Sequence, residues 1–450
     1  MLLNLLPVLA LAAGAAAPTI PVEYHKLDNG LKLVLSEDHT APTATVAVYF
    51  NIGFRIEPKD RTGFAHLFEH MMFQGSQNLG KMEFIRLVQS NGGILNGSTR
   101  FDFTNYFEVV PSHAVETALW AEADRMKGLA IDQDNLTNQQ GVVKNEVKVN
   151  VLNQPYGGFP WIDLPMAANQ NWYNSHNFYG DLDDLDAATL ADVKAFFEKY
   201  YAPANAVLVV RGDIDKAQTL AWVRKYFGAI PSGPAPQRPD ISEPRQEQAK
   251  RDTRSYPKAP RPALAVGWHM PPRNTPDYYA MGLVDQLLLQ GADSRLYQAL
   301  VQKRGLTGEV DGGINWPLGD MFDIDGPTLF TVTLFHDSDK PADEILKALD
   351  AEVEALRTRP VERAELERAL VKLRSSLYSS QEGFFGFGTA NLLASFALFD
   401  DDPGKINRIE DEFRKLTPEA IQKAAQEWLR PTNRTILTVA AGQPPAAQGK

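Results

Sequence analysis

Two histidines and one glutamate in a short apolar segment have the spacing of a metal site. His66 and His70 lie four residues apart, and Glu69 follows His66 by three residues. The apolar residues Leu67 and Met71 predict a helix here, and a helix would project both imidazoles from one face. Imidazoles at this spacing can bind one tetrahedral zinc ion, and Glu69 can then reach a water molecule beside it. The segment therefore predicts a catalytic zinc site.

A third protein ligand is needed, because catalytic zinc usually has three protein ligands and one open position. The chain contains no cysteine, so the ligands must be histidines and carboxylates. Glu146, in a second helix-like segment over residues 135–150, is the candidate, although spacing alone does not bring it to the histidines. The other histidines show no comparable grouping, and we expect surface or structural roles for His25, His39, His113, His176, His269 and His336.

One pattern occurs twice along the chain. Residues 189–210 and 417–438 align without a gap, and each range starts at a threonine suited to capping a helix. Each continues as an amphipathic helix, breaks at a proline and enters a strand rich in β-branched residues. An asparagine follows two residues after each proline, at Asn205 and Asn433. The repeat indicates two homologous domains.

These elements predict an α+β protein with two domains, each a mostly antiparallel sheet with helices packed on one face. Residues 229–262 contain eight prolines and read as a linker. We expect the zinc-binding catalytic domain at residues 18–228 and the second domain, without a metal site, at residues 263–450.

Composition narrows the partners and the compartment. The chain has 45 Lys and Arg against 56 Asp and Glu and no basic run, which argues against nucleic acid as a partner. Residues 1–17 are apolar and end in small residues, which is typical of a signal peptide, so we expect an exported, periplasmic protein. No later segment is long and apolar enough to span a bilayer.

The order His-x-x-Glu-His at residues 66–70 is the inverse of the commoner zinc-peptidase motif. With Glu146 at a long interval, the chain resembles peptidase family M16, which includes pitrilysin, insulin-degrading enzyme and the mitochondrial processing peptidase. It is most similar to the half-length bacterial members. Residues 291–297 and 303–306 resemble the second-domain signature of that family.

The resemblance implies a zinc metalloendopeptidase that hydrolyses extended peptides or small unfolded polypeptides in a closed chamber. It implies one zinc ion per chain, held by His66, His70 and Glu146, with Glu69 as the general base. Members bind peptides along an edge strand beside the metal by backbone hydrogen bonds. Here residues 92–106 resemble that segment.

The alternating stretch Thr99–Val109 suits the substrate strand, with an ordinary buried strand as the alternative. The residues expected to line the substrate strand or to support the ligands are Asn96, Thr99, Asp102, Tyr106 and, where the family often has a glutamate, Gln139.

The second domain differs from the family pattern at two sites. It has Gly282, Asp285 and Gln286 where the motif would recur, so we expect no second metal site. Many members carry an arginine and a tyrosine, seven residues apart, that reach the substrate near the zinc ion. The corresponding residues are Val301 and Gly308, whose side chains donate no hydrogen bond.

We therefore expect a heterodimer with an M16-like partner subunit that lacks the zinc motif and supplies the Arg/Tyr pair. A homodimer that uses other donors is the alternative. The chain could also be a non-catalytic scaffold subunit, although the complete ligand set and Glu69 argue against this. A metal-binding or metal-delivery protein is a more distant interpretation.

Overall fold

Two β-sheets with the same strand pattern form the framework of the chain. The computed structural model describes residues 19–442, apart from the side chains of residues 383–386. The predicted signal peptide, residues 1–17, lies outside this range. The first sheet comprises β1 (Glu23–Lys26), β2 (Lys32–Glu37), β3 (Thr43–Phe50), β4 (Ile94–Thr99), β5 (Thr104–Pro111) and β6 (Ala206–Gly212). The second comprises β7 (Lys250–Ser255), β8 (Ala263–His269), β9 (Asp311–Ile314), β10 (Leu329–Phe335) and β11 (Arg434–Ala440).

The strand orders are β1-β2-β6-β3-β5-β4 and β7-β11-β8-β10-β9. In each sheet one pair is parallel, β2 with β6 and β7 with β11, and the remaining pairs are antiparallel. Five strands of the first sheet therefore match the second sheet in order and direction. This agreement confirms the predicted pair of mostly antiparallel α+β domains. Strand β7 lies within the range expected to be a linker.

The repeated asparagines perform the same task in both halves. The side chain of Asn205 donates to the carbonyl of Tyr200 at 2.8 Å, at the end of the helix that precedes β6. The side chain of Asn433 donates to the carbonyl of Trp428 at 2.7 Å, at the end of the helix that precedes β11. Each amide satisfies a carbonyl that the end of a helix leaves without an intrahelical partner. The sequence repeat is therefore a structural repeat at the level of single hydrogen bonds.

Helices cover the sheets, and each half also covers the sheet of the other half. The helices are α1 (Phe64–Met71), α2 (Glu83–Ser90), α3 (Val115–Lys127), α4 (Gln133–Val147), α5 (Asp163–Ala168), α6 (Trp172–Ser175), α7 (Leu182–Ala187), α8 (Leu190–Tyr200), α9 (Lys216–Phe227), α10 (Pro276–Leu288), α11 (Ala342–Thr358), α12 (Arg363–Phe399), α13 (Ile409–Arg414) and α14 (Pro418–Trp428). In the described range, no helix is both long and apolar enough to cross a membrane.

The two faces of β3 show how both halves cover the first sheet. Val46, Val48 and Phe50 face the core that contains α1, α3 and α8 of the same half, as predicted for helices on one face. Tyr49 faces the opposite side, where α12 of the second half packs, and its hydroxyl donates to Asn391 at 2.7 Å. In return, α5 of the first half packs on β8 and β11. The inner strands β3, β5 and β6 are therefore buried on both faces.

The edge of the first sheet differs from our expectation for Thr99–Val109. The amide of Arg100 donates to the carbonyl of Phe103 at 2.8 Å, and this turn reverses the chain. As a result β5 lies between β3 and β4 and is buried, whereas β4 is the edge strand. The expectation that Thr99–Val109 forms the substrate strand is wrong, because the turn at residues 100–103 makes most of that stretch an inner strand.

Candidate metal centre

Helix α1 carries the histidine motif, and its start is held by a glutamate from an earlier loop. Gly63 precedes the helix with φ of 84°, a left-handed conformation that favours glycine, and supplies no side-chain cap. The buried carboxylate of Glu57 accepts from the amides of Gly63 at 2.9 Å and Ala65 at 2.6 Å. These bonds satisfy amides that have no intrahelical partner. The apolar face, Phe64, Leu67, Phe68 and Met71, is buried in the core of the first half.

Helix α4 brings the third residue. Asp132 caps it by accepting from the amide of Asn135 at 2.8 Å, and the helix runs to Val147, followed by a π-helical turn over 148–152. Its buried residues include Val143 and Gln139, and α4 packs against α1. This packing brings Glu146 to the histidines, which spacing alone did not show.

The candidate ligand atoms of the three residues lie about as far apart as those of a tetrahedral site. Nε2 of His66 lies 3.3 Å from Nε2 of His70. The carboxylate oxygens of Glu146 lie 3.5 Å from Nε2 of His66 and 3.2 Å from Nε2 of His70. Zinc bonds of about 2.0–2.1 Å in tetrahedral geometry require ligand atoms about 3.3 Å apart. The residues therefore fit a zinc ion.

The exposure of the ligands leaves one side accessible. The side chain of His66 is 5% exposed, whereas those of His70 and Glu146 are 21% and 32% exposed. Hydrogen bonds with the imidazoles of His66 and then His70 hold the pKa of Glu146 well below its usual range, so the carboxylate is ionised. Ionised carboxylate and imidazole, open on one side, is the donor set of a catalytic zinc site.

Glu69 lies between α1 and the edge strand β4. The hydroxyl of Thr99 donates to Oε2 of Glu69 at 2.7 Å. A Cβ atom built on Gly97 of β4 would lie 3.4 Å from Cγ of Glu69, an ordinary van der Waals distance, so Glu69 lies directly beside this strand. The carboxylate of Glu69 is therefore held beside the strand to which an extended peptide could add.

The other predicted substrate-strand and supporting residues have different surroundings. Asn96 is exposed on β4, and its side chain accepts from the amide of Gly97 at 2.9 Å. Tyr106 is buried on β5, and its hydroxyl donates to the carbonyl of Phe68 in α1 at 3.1 Å. Gln139 is buried on α4. Tyr106 thus contacts α1, whereas the Asn96 contact is local to β4.

Asp102 has a structural environment. It is fully buried in the turn after β4, with its carboxylate 2.7 Å from Nε of Arg55 and 3.4 Å from Arg238. It also accepts from the amides of Asp325 and Gly326, both at 2.9 Å. The structure thus gives Asp102 contacts that join the two halves rather than a position on the edge strand.

Tyr179 was missed by sequence reasoning. Its hydroxyl donates to Oε1 of Glu146 at 2.8 Å, and its ring stacks on that of His66 with centroids 4.8 Å apart. Burial and the Glu146 carboxylate raise the pKa of Tyr179, so the phenol remains a donor. It lies 33 residues after Glu146, in a stretch without regular periodicity, and no local pattern indicates the contact.

The second half has different residues at the corresponding helix. Gly282, Asp285 and Gln286 lie on α10, where the carboxylate of Asp285 accepts from Gln290 at 3.0 Å. Within residues 19–442, His66, His70 and Glu146 are the only group of three histidine or acidic side chains close enough to share an ion. Val301 is half-buried, and Gly308 is exposed.

Two family models match the chain. The model described as Insulinase (Peptidase family M16) matches residues 32–156, which include the histidine motif and Glu146. The model described as Peptidase M16 inactive domain matches residues 187–373. Together the two ranges cover more than half of the chain.

Individual proteins of this kind are also similar to the chain in sequence or in structure. The chain is 26% identical to the zinc protease PqqE of Helicobacter pylori over 447 residues, 97% of this chain and 97% of that protein. A crystal structure of a protease from Helicobacter pylori matches with a TM-score of 0.83 and 24% identity, covering 94% of this chain and all of that chain. The periplasmic protease PqqL from Escherichia coli matches with a TM-score of 0.75 and 16% identity, covering 95% of this chain and 48% of that chain.

These structural similarities establish the fold, and the family models establish the family to which the chain belongs. Both agree with the repeated sheets and with the inverse motif on α1. The chain belongs to peptidase family M16.

Proposed function

We propose that this chain is a zinc-dependent endopeptidase, with its catalytic domain in residues 18–228 and a second domain in residues 263–450. The observation that carries the proposal is the convergence of His66, His70 and Glu146 at 3.2–3.5 Å, with Glu69 on the same helix. The family resemblance and the zinc proteases among the relatives support it.

Each residue of the candidate site has a proposed role. His66, His70 and Glu146 would hold one zinc ion, which when bound polarises a scissile carbonyl and makes a nearby water more acidic. Glu69 would take the proton from the attacking water and pass it to the leaving amine. Its hydrogen bond from Thr99 keeps the carboxylate oriented for both steps.

Peptide substrates would bind in extended form along β4. Among the described residues, β4 pairs with β5 on one side and with no strand on the other. An extended peptide could therefore add to β4 through backbone hydrogen bonds, with little dependence on its sequence. Gly97 lies beside Glu69, so a peptide added to β4 would lie near the proposed general base.

The test uses purified protein with a metal analysis and hydrolysis of an internally quenched peptide, measured with and without a partner subunit of the same family that lacks the zinc motif. We expect one zinc ion per chain, lost in His70→Ala. We expect Glu69→Gln to keep zinc but to lose on the order of a hundredfold or more in rate. Glu198→Gln, an exposed substitution of the same kind on α8, is the control.

Two results would contradict the proposal. Stoichiometric zinc in His70→Ala would mean that the ligands are elsewhere. Hydrolysis by Glu69→Gln within a few-fold of the wild-type rate would remove its role as general base. Bound zinc without hydrolysis under either condition would favour the non-catalytic scaffold, which the match to a domain described as inactive raises as the second candidate.

Export to the periplasm is a further part of the proposal. It rests on the apolar residues at the start of the chain and on the similarity to a protease described as periplasmic.

A further inference from the structure

Tyr179 reaches the metal centre from a loop between α6 and α7. Its hydroxyl lies 2.8 Å from Oε1 of Glu146, and its ring lies nearly parallel to that of His66, at an interplanar angle of 29°. The rings of Tyr179 and Trp161 pack in a T-shaped arrangement, with centroids 5.3 Å apart. One side chain thus contacts a ligand from α1 and a ligand from α4.

The loop is fastened to the start of α1 at the backbone. A Cβ atom built on Gly180 would lie 2.5 Å from Cα of Gly63, so a side chain at residue 180 would clash with the backbone of Gly63. The hydroxyl of Thr62 accepts from the amide of Asp181 at 2.9 Å and donates to Asp184 at 2.5 Å. Tyr179 is therefore fixed relative to the helix that carries His66.

The imidazole of His66 needs an orienting contact. A metal-bound histidine usually donates its second ring nitrogen to a carboxylate, a carbonyl or water, which fixes the ring. Nδ1 of His66 is buried and has no hydrogen-bond partner among the described residues. The face of Tyr179 restricts rotation of this ring by contact instead.

We propose that Tyr179 is a positioning residue for the zinc ligands: its hydroxyl orients the carboxylate of Glu146, and its ring holds His66. This inference rests on the zinc site proposed above. Partners that support metal ligands typically contribute about 10–100-fold to metal affinity. We therefore expect Tyr179→Phe, which keeps the ring and loses the hydroxyl, to bind zinc about tenfold more weakly. Tyr179→Leu, which loses both contacts, should bind it more weakly still.

The experiment measures the zinc dissociation constant of the full chain by competition with a chromophoric chelator. The thermal midpoint of the zinc-free protein is measured alongside, because a merely structural residue would change that midpoint. The matched control is Tyr226→Phe, since the hydroxyl of Tyr226 donates to Glu116 at 2.6 Å outside the metal centre. We expect Tyr226→Phe to bind zinc like the wild type.

Three outcomes separate the possibilities. Weaker zinc binding by Tyr179→Phe, with an unchanged midpoint for the zinc-free protein, supports the proposal. Wild-type affinity in Tyr179→Phe, or a loss of affinity matched by a lower midpoint, overturns it and leaves the zinc site standing. If wild type and His70→Ala bind zinc equally, the zinc site itself is wrong, and the role of Tyr179 falls with it. Should Tyr179→Leu not fold, the phenylalanine variant decides alone.

Discussion

At the scale of single residues, the orientation of Glu69 depends on one hydroxyl. The Oγ1 atom of Thr99 donates to Oε2 of Glu69 at 2.7 Å and lies 3.4 Å from the carbonyl of Ala65. Thr99 is buried at the end of β4, so water cannot easily replace it as the donor. A general base must be held within hydrogen-bond reach of the proton that it removes, so this bond would affect the rate in the role proposed for Glu69.

We predict that Thr99→Val keeps zinc and lowers the rate of peptide hydrolysis. Valine has nearly the same shape but donates no hydrogen bond, so the carboxylate of Glu69 can rotate away from its productive position. Misplacement of a catalytic group by a fraction of an ångström to 1 Å lowers the rate by about 10–100-fold. We expect kcat to fall by a factor near the lower end of that range. Steady-state kinetics and metal analysis check this.

Thr219→Val is the control for that substitution. Thr219 is fully buried on α9, and its hydroxyl has no partner among the described residues, so valine should be tolerated there without a change in rate. Equal rates for Thr99→Val and the wild type would mean that Glu69 is oriented without Thr99.

At the scale of elements, the turn between the edge strand β4 and β5 connects the first half to the second half. Burial alone would raise the pKa of Asp102, but the guanidinium groups of Arg55 and Arg238 hold it at about 2, below its ordinary 3.8. The ionised carboxylate binds the amides of Asp325 and Gly326 as well. Because the folded state lowers this pKa, Asp102 stabilises the fold above about pH 4, and this contribution is lost as the pH falls towards 2.

We predict that Asp102→Asn is less stable than the wild type by about 3–5 kcal/mol at pH 7, since Arg55 is left as a buried cation without its carboxylate. The difference should narrow as the pH falls from about 4 to 2. Urea unfolding at several pH values measures it. Zinc affinity under folding conditions should be unchanged, because Asp102 does not contact the ligands.

The control is Asp186→Asn, which removes an exposed carboxylate paired with Lys144. Exposed pairs contribute about 0–1 kcal/mol, so this variant should unfold nearly as the wild type does. A wild-type unfolding curve for Asp102→Asn at pH 7 would mean that the buried cluster contributes no net stability.

At the scale of the whole molecule, the described residues hold one candidate metal site, and the resemblance to the family predicts that the chain lacks the Arg/Tyr pair that many members bring to the substrate. Val301 and Gly308 stand at those positions, and neither side chain donates a hydrogen bond. In a homodimer both subunits would lack the Arg/Tyr pair. These observations favour a partner subunit that is different from this chain.

We predict that a partner of the same family, without the zinc motif but with the Arg/Tyr pair, raises hydrolysis by about two to three decades. Loss of one preorganised donor to a developing oxyanion typically costs about that much. The chain alone and the mixture are compared by mass measurement and peptide hydrolysis. A variant of the partner without its arginine is the control and should bind without activating. Full activity of the isolated chain, with no gain from the partner, would contradict the heterodimer.

Local patterns in the sequence were sufficient for the two repeated domains and for the histidine motif. The cap, the proline break and the asparagine before β6 and β11 are all formed within a few residues, so their physics is local. The spacing of His66, Glu69 and His70 likewise depends only on helix geometry. The same locality explains an error, since alternation over Thr99–Val109 cannot reveal a chain reversal at residues 100–103 that makes β5 an inner strand.

The tertiary structure alone decided which distant residues meet at the motif. Glu146 reaches the histidines because α4 packs on α1, and Tyr179 reaches them because Gly180 and Gly63 allow two backbones to touch. It also decided that α12 covers the first sheet and α5 the second. Such contacts arise from packing between residues far apart in the chain, and no periodicity or spacing within a segment records them. The sequence thus indicated the type of site proposed here, whereas packing brought the candidate third ligand and its neighbours to the histidines.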